Sequence, residues 1–173
     1  MRGLVSELLV NPFVLNGVRI GEWLTTNSME EFIVRKEIRL RADPAVVWSA
    51  LTNPEKTKQY FFNCEVFSDW EVGSTLLFTG RLLLIKKIEM KGQILKIEPN
   101  KLLQYTLTNE DATDEDSSFS TVTDRLTYEN GETILSVTDD VGQGEGAKER
   151  YERSQKGWDN ILNGLKEVVE GVK

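Results

Sequence analysis

The alternation of apolar and polar residues is clearest in EFIVRKEIRL, at positions 31–40. Phe32, Val34, Ile38 and Leu40 fall on one face of an extended chain, whereas the other face is mostly charged. Apolar residues that recur at a spacing of two are typical of a strand with one buried face. The pattern therefore predicts a half-buried β-strand as the first clear element.

Two short helices are expected next, and each begins beside a proline. Asp43 suits the N-cap of a helix, and Pro44 suits its first position. This helix continues through AVVWSALTN and ends at Asn53-Pro54, because the residue before a proline disfavours helical geometry. A second short helix is predicted from Glu55 to Tyr60.

From Cys64 to Asp140 the sequence predicts five or six antiparallel strands separated by turns. The strongest signal is Asn130-Gly131 between VTDRLTYE and TILSVTDD, because Asn-Gly is a preferred pair in tight hairpin turns. Gly80 and Gly92 fall within predicted strands, where a glycine indicates a bend or a bulge. We expect both to let the sheet curve.

The segment from Ala147 to about Val172 has helical spacing. Within GWDNILNGLKEVVEG the apolar residues recur three and four positions apart, with Trp158 leading the stripe and Gly157 expected to allow close packing. A single amphipathic helix after a run of strands must bury its stripe against their sheet. The predicted fold class is α+β: a curved antiparallel β-sheet wrapped around a long C-terminal α-helix, with two short helices after the first strand.

Residues 1–28 differ from the rest of the chain. Their apolar residues have neither helical nor strand spacing, and Met29 stands just before the first clear strand. The predicted organisation is an N-terminal extension at 1–28 and one domain at 29–173. The alternative is that residues 1–28 form a peripheral strand or short helix of the domain itself.

Composition narrows the classes of function. The chain has 173 residues, 39% of them hydrophobic, and a formal net charge of −7. An acidic chain without a basic cluster is poorly suited to a nucleic-acid backbone, and no segment approaches the ~18 consecutive apolar residues of a membrane span. We therefore predict no nucleic-acid partner, no membrane span and no signal peptide.

The chain contains no histidine, and Cys64 is its only cysteine. Histidine is the commonest general base and nitrogen metal ligand, so its absence removes most support from triad hydrolases and metal enzymes. A single cysteine excludes an intrachain disulfide and fits a reducing, cytoplasmic location. Without a neighbouring base, Cys64 is predicted to be a small buried hydrophobe.

Two polar segments have only a superficial likeness to site motifs. The acidic loop NEDATDEDSS, at 109–118, lacks the glycine and spacing of an EF-hand. The stretch Gly142–Gly146 lacks the lysine of a phosphate-binding loop. Both are interpreted as solvated connections, and neither a metal nor a cofactor is predicted.

Several charged residues fall within predicted strands. Arg81, Asp124 and Arg125 are expected to face solvent, the alternative being that one points inward to fix a ligand carboxylate or carbonyl. Asp139-Asp140 is interpreted as a strand end. These charged residues therefore contribute no predicted site.

Four motifs occur in an order and at spacings that resemble a known family. They are DPAVVWSALTNPEKTKQYF, WEVGSTLLFTG, KGQILKIEPNKLLQYT and GWDNILNGLKEVVE. Together they resemble the family of activator of heat-shock-protein-90 ATPase homologues, within the START-like superfamily, also called SRPBCC or helix-grip. The resemblance extends from about Glu31 to Gly171 and leaves out residues 1–28.

The resemblance implies a helix-grip fold, in which the sheet grips the C-terminal helix and two short helices close one end. In this superfamily the space between sheet and helix often forms a cavity for an apolar or amphipathic molecule. The leading prediction is therefore binding of a small hydrophobic or amphipathic ligand, lipid-like or aromatic, without catalysis.

Two alternatives stay open. A co-chaperone-like module acting on a heat-shock-protein-90 homologue follows from the family name, although the chain has no counterpart of the family's separate N-terminal chaperone-binding domain. A cyclase- or dehydratase-like enzyme would use tyrosines or carboxylates in the cavity, and it predicts a carboxylate inside the cavity with a raised pKa. The sequence leaves the oligomeric state open.

Alternation predicts which side chains would line such a cavity. The tyrosines and the tryptophan are of most interest, because each joins an apolar body to one polar group. The alternative is a solid core, in which those polar groups bond to the protein itself. The predicted ligand-binding residues are Phe78, Tyr105, Leu107, Leu126, Tyr128, Val137, Trp158, Ile161, Leu162 and Leu165, with Leu76, Leu103 and Leu135 also expected on the inner faces.

Overall fold

Seven strands and one long helix make up most of the protein in a computed structural model, which describes residues 31–82, 86–109 and 120–171. The predictions for residues 1–28 and for most of the acidic loop at 109–118 lie outside these ranges. No helix within them is long and apolar enough to cross a membrane. In chain order the elements are β1 Ile33–Leu40, α1 Pro44–Thr52, α2 Pro54–Tyr60, β2 Cys64–Phe67, β3 Thr75–Leu82, β4 Lys86–Glu98, β5 Leu102–Asn109, β6 Ser120–Glu129, β7 Glu132–Asp140 and α3 Ala147–Glu170.

The strands form one antiparallel sheet in the order β1-β7-β6-β5-β4-β3-β2. The first strand pairs with the last, so that Ile33 lies opposite Asp140 and Leu40 lies opposite Thr133. The two short helices follow β1, and α3 follows β7. The predicted fold class, a curved sheet around a long C-terminal helix, is confirmed.

The two short helices begin at Pro44 and Pro54, as the sequence predicts, but their N-caps differ. The Asn53 side chain accepts hydrogen bonds from the backbone N–H groups of Glu55 and Lys56 and so caps α2. Asp43 occupies the N-cap of α1, yet its side chain caps nothing there. Its carboxylate instead bonds the Tyr128 hydroxyl, which raises the pKa of that tyrosine.

The hairpin between β6 and β7 has the predicted turn. Asn130 and Gly131 both adopt left-handed backbone, with φ of 53° and 82°. Two successive residues with positive φ are the requirement of a type I′ turn, whose twist matches that of the flanking strands. The turn sets Glu129 opposite Glu132 and fixes the register of both strands.

Gly92 in β4 lies where β5 passes closest to that strand. An added Cβ at this position would overlap the carbonyl oxygen of Thr106. The backbone N–H of Gln93 donates to the Thr106 hydroxyl at 3.0 Å, and the β4–β5 register shifts between Ile94 and Lys96. The irregularity of β4 therefore lies beyond Gly92, and the close approach of the Thr106 carbonyl is what requires a glycine at position 92.

The apolar stripe of α3 is buried, as the helical spacing predicts: Trp158, Ile161, Leu162 and Leu165 are each at most 7% exposed. Burying one such side chain stabilises the fold by roughly 1.5–3 kcal/mol, so this stripe is the main attachment of the helix. The packed core joins the stripe to residues from every strand and both short helices.

Ion pairs attach the middle and the C-terminal end of α3 to β1 and to the residue that follows β1. Lys36 Nζ in β1 lies 2.6 Å from Asp159 Oδ1. Near the helix C-terminus, the backbone N–H of Arg41 donates to Glu170 Oε1 at 2.9 Å, and its guanidinium reaches Glu170 Oε2 at 3.2 Å. These hydrogen bonds hold the pKa of Glu170 below its ordinary value.

The two glycines inside α3 play different roles. An added Cβ at Gly164 would lie 2.9 Å from Tyr60 Cβ, so α2 packs against α3 where only glycine fits. An added Cβ at Gly157 would have its nearest neighbour, Phe62 Cζ, at 3.7 Å, which is ordinary contact. The expectation that Gly157 allows close packing is therefore wrong, and Gly164 has that role.

This difference predicts opposite effects of the same substitution. Gly157→Ala should raise the free energy of unfolding by ~0.5–1 kcal/mol, because alanine removes backbone entropy from the unfolded chain without a clash. Gly164→Ala should lower it by about 1 kcal/mol or more, since the new methyl group overpacks the contact with α2. Urea denaturation of both variants measures the two changes, and equal gains would contradict the assignment.

Candidate functional site

A small cavity lies where the inner face of the sheet, the α1–α2 end and α3 meet. The space open to the centre of a water molecule is about 20 Å³. Of the residues predicted to bind a ligand, the structure brings these to its wall: Phe78, Tyr105, Trp158, Ile161, Leu162 and Leu165, together with Leu76, Leu103 and Leu135.

The other predicted residues lie elsewhere. Leu126 and Val137 are buried and Leu107 is partly buried in the surrounding core, but none of them borders the cavity. Placing Tyr128 inside the protein is wrong, because this residue is 51% exposed. It shares the phase of Leu126, but it stands at the end of β6 beside the hairpin, where its hydroxyl bonds the Asp43 carboxylate.

An aromatic cluster forms one side of the cavity. Phe61 stacks on Phe78, with ring centroids 4.5 Å apart and an interplanar angle of 22°. It meets Trp158 edge to face at 6.5 Å, and Phe78 lies 6.4 Å from Tyr105. Such contacts fix ring positions beyond what area burial alone provides.

The corner between α2 and β2 orients Phe61. The next two residues, Phe62 and Asn63, have φ of 51° and 58°, a region that a bulky phenylalanine rarely adopts. Asn63 Nδ2 donates to the Arg81 carbonyl at 2.8 Å, and the backbone N–H of Cys64 donates to the Phe61 carbonyl at 2.8 Å. These bonds hold a strained turn that directs Phe61 inward and leaves Phe62 46% exposed.

Asp124 is the polar residue of the cavity wall. In β6 it lies opposite Leu103 on one side and Val137 on the other, so the pleat directs it inward. It is 3% exposed, and its Oδ1 atom has no hydrogen-bond partner among the described residues. The expectation that this aspartate faces solvent is wrong, since its register matches that of Val122 and Leu126.

Burial governs the titration of the groups around the cavity. Loss of hydration, reinforced by the negative charge of Asp139, raises the pKa of Asp124 to about 7. Burial, with Asp124 adding to it, also raises the pKa of both Tyr60 and Tyr105 above the ordinary value. At neutral pH the Asp124 carboxyl is therefore close to half-ionised, and the two tyrosines are neutral.

Asp139 is a second buried acid, and one of its two carboxylate oxygens has hydrogen-bond partners in the protein. Its Oδ2 accepts from Ser154 Oγ at 2.5 Å and from Trp158 Nε1 at 3.0 Å, whereas its Oδ1 has no partner in the described chain. The pair Asp139-Asp140 ends β7, as expected from the sequence, but Asp139 itself is only 6% exposed. The indole N–H of Trp158 is consequently engaged by the protein itself.

The size of the cavity limits what it holds in this conformation. A water molecule needs roughly 10–15 Å³ measured in the same way, so the space of about 20 Å³ has room for one water-sized group. Pockets for drug-sized ligands are commonly ~300–1,000 Å³. A ligand larger than a water molecule therefore requires the side chains of the cavity wall to move.

Other wall residues come from segments that lack a clear period. Tyr60, Phe61 and Trp70 reach the cavity from the end of α2 and from the connections on either side of β2. Nothing in their spacing indicates an inward direction. Asp124, by contrast, has a readable signal, because it occupies an apolar phase between Val122 and Leu126.

The acidic side chains and Cys64 form no metal or nucleophilic site in the described chain. No group of three or more acidic or cysteine side chains is placed to hold a metal ion among the residues that the structure describes. Cys64 is buried, and burial raises the pKa of its thiol, which disfavours a nucleophilic thiolate.

Several solved structures resemble the protein over most of its length. Protein MLL2253 from Mesorhizobium loti gives a TM-score of 0.66 at 22% identity, covering 82% of this chain and 98% of that one. ChR145 from Cytophaga hutchinsonii gives 0.66 at 31% identity, covering 83% and 97%. The Aha1 dimer from Colwellia psychrerythraea gives 0.62 at 19% identity, covering 80% and 96%. The first and third of these likenesses concern the fold alone.

No curated protein sequence gives a significant match to the chain. A family model described as "Activator of Hsp90 ATPase homolog 1-like protein" matches residues 41–170. The match extends from just before α1 to the last residue of α3, and it confirms the resemblance seen in the sequence motifs. Because it covers well over half of the sequence, the chain belongs to the family of activator of Hsp90 ATPase homolog 1-like proteins.

Proposed function

We propose that the protein binds a small apolar or amphipathic molecule beneath α3. One observation carries the proposal: an apolar space beneath α3 is lined by a buried carboxyl, Asp124, with an oxygen that no described residue bonds. A buried carboxyl oxygen without a protein partner costs stability, and a polar group of a bound ligand would supply that partner. A few convergent polar groups in an apolar pocket are what a ligand site requires.

A ligand larger than a water molecule enters only when side chains of the cavity wall move, since the space admits only a water-sized group. The strained corner at Phe62 and Asn63 supports a movement of Phe61, because a left-handed phenylalanine has strain to release. Phe61 is stacked on Phe78 and touches Trp158, so its displacement opens the aromatic side of the cavity. Pockets of this kind are minor conformations that a ligand makes dominant.

A second candidate is acid–base catalysis. A carboxyl whose pKa lies near 7 both accepts and returns a proton efficiently at neutral pH. Asp124 meets the requirement of a carboxylate inside the cavity with a raised pKa, which favours the cyclase- or dehydratase-like alternative over a wholly passive interior. Turnover of a bound ligand, lost in Asp124→Asn, distinguishes this candidate from simple binding.

A co-chaperone-like role is a third candidate, favoured by the family to which the chain belongs. It requires contact with a heat-shock-protein-90 homologue through the surface, and no interior cavity is needed. An ATPase assay with that homologue tests it, since a co-chaperone changes the turnover rate and a small-molecule binder leaves it unchanged.

The Asp124 carboxyl should make stability fall as pH rises. Its folded-state pKa of about 7 exceeds the ordinary 3.8, so between these values the folded protein holds a proton that the unfolded chain has lost. Relative to wild type, Asp124→Asn should therefore gain stability from about pH 4 to pH 8, by an amount on the order of a few kcal/mol.

Urea denaturation of wild type and variant at both pH values measures this gain. Asp69→Asn is the matched control, because it removes the same charge from an exposed position and should show no such gain. A constant difference between wild type and Asp124→Asn at the two pH values would refute the raised pKa.

Enlarging the cavity should strengthen binding of an apolar ligand. Leu162→Ala removes a wall residue and should lower stability by ~2–5 kcal/mol while leaving space that indole can fill. Leu126→Ala removes a leucine of similar burial that does not border the cavity. Thermal unfolding with indole should show a larger upward shift for Leu162→Ala than for Leu126→Ala; equal shifts, or none, would count against a site under α3.

A further inference from the structure

We propose that the ligand is an amphipathic amine, whose ammonium group bonds Asp124 while its apolar body replaces contacts of the aromatic cluster. This inference rests on the proposed ligand-binding function and names the chemical class that the site selects. Three features of the cavity support it: the uncompensated negative charge of the wall, the aromatic rings that surround the space, and the size of that space.

Charge is the first feature. Asp124 is 3% exposed, borders the cavity and has an unbonded Oδ1. Asp139, its diagonal neighbour across β6 and β7, also has an unbonded Oδ1. No lysine or arginine stands among the residues that border the cavity. A ligand that carries one positive charge supplies the missing partner, and buried charges in proteins require one.

The aromatic rings are the second feature. The rings of Phe61, Phe78, Tyr105 and Trp158 all border the same space as Asp124. A cation near the face of an aromatic ring is attracted by the ring quadrupole, and more strongly so when water is excluded. The wall thus attracts a positive charge through its rings as well as through its carboxyl.

Size is the third feature. The space of about 20 Å³ has room for one water-sized group, and a primary ammonium group is of that size. The head group therefore fits beside Asp124 without rearrangement, whereas the apolar body needs the displacement of Phe61 described above. An alcohol of the same shape donates a hydrogen bond but leaves the negative charge uncompensated, and a carboxylate is repelled.

Isothermal titration calorimetry with three probes of similar shape tests the selectivity: 2-phenylethylamine, 2-phenylethanol and phenylacetate. At about pH 8, where Asp124 is mostly ionised, wild type should bind the amine at least about tenfold more tightly than the alcohol. Phenylacetate should show no binding. Asp124→Asn should lose at least about tenfold in affinity for the amine and little for the alcohol.

Asp69→Asn is again the matched control, because it removes one negative charge from the surface and should leave all three affinities unchanged. If the alcohol or phenylacetate binds wild type as tightly as the amine, the amine inference is overturned and the ligand-binding function stands. An amine preference that persists in Asp124→Asn also overturns the inference. If no probe binds wild type, the amine inference and the proposed ligand-binding function are both overturned.

A measurement on wild type alone covers the case in which Asp124→Asn does not fold. Trp158 borders the cavity, and its indole N–H donates to Asp139, so its NMR resonance reports on the site. Titration with 2-phenylethylamine should shift this resonance more than titration with 2-phenylethanol at equal concentration. A Trp158 resonance that does not respond to the amine would place any binding elsewhere and overturn the inference.

Discussion

The long helix α3 has one surface against which it can bury its apolar stripe, and that surface is the inner face of the sheet. Trp158, Ile161, Leu162 and Leu165 supply the buried contacts, and the ion pairs of Lys36 and Glu170 attach the middle and the C-terminal end of the helix. The helix thereby covers the side chains that the strands direct toward it. This burial also removes the carboxyl groups of Asp124 and Asp139 from water.

The two buried aspartates show how differently the same burial is accommodated. Asp139 uses one oxygen to bind Ser154 and Trp158, so it helps to fix α3 on β7. Asp124 lies on the adjacent strand with an oxygen that no described residue bonds, and its pKa rises accordingly. A protein selected for stability alone would hold a leucine or valine at this position. Asp139 is thus part of the packing between α3 and β7, whereas one oxygen of Asp124 has no partner among the described residues.

Fold membership gives the protein a ligand-binding or co-chaperone-like frame in general, and activity belongs to the residues placed within that frame. In this chain the frame holds a water-sized space, a strained corner at Phe62 and Asn63, and one acid. Opening at this corner would expose the aromatic cluster and the acid together, because Phe61 borders both.

The sequence by itself determined the architecture: alternation gave β1, Asn130-Gly131 gave the last hairpin, and helical spacing gave the buried face of α3. These are local periodicities, and burial on one face enforces them directly. The inward phase of Asp124 could be read from its place between Val122 and Leu126, but only the tertiary structure decided that Tyr128 is exposed and that Gly164 is the close contact. Each depends on which element packs over a position, and that information is spread along the whole chain.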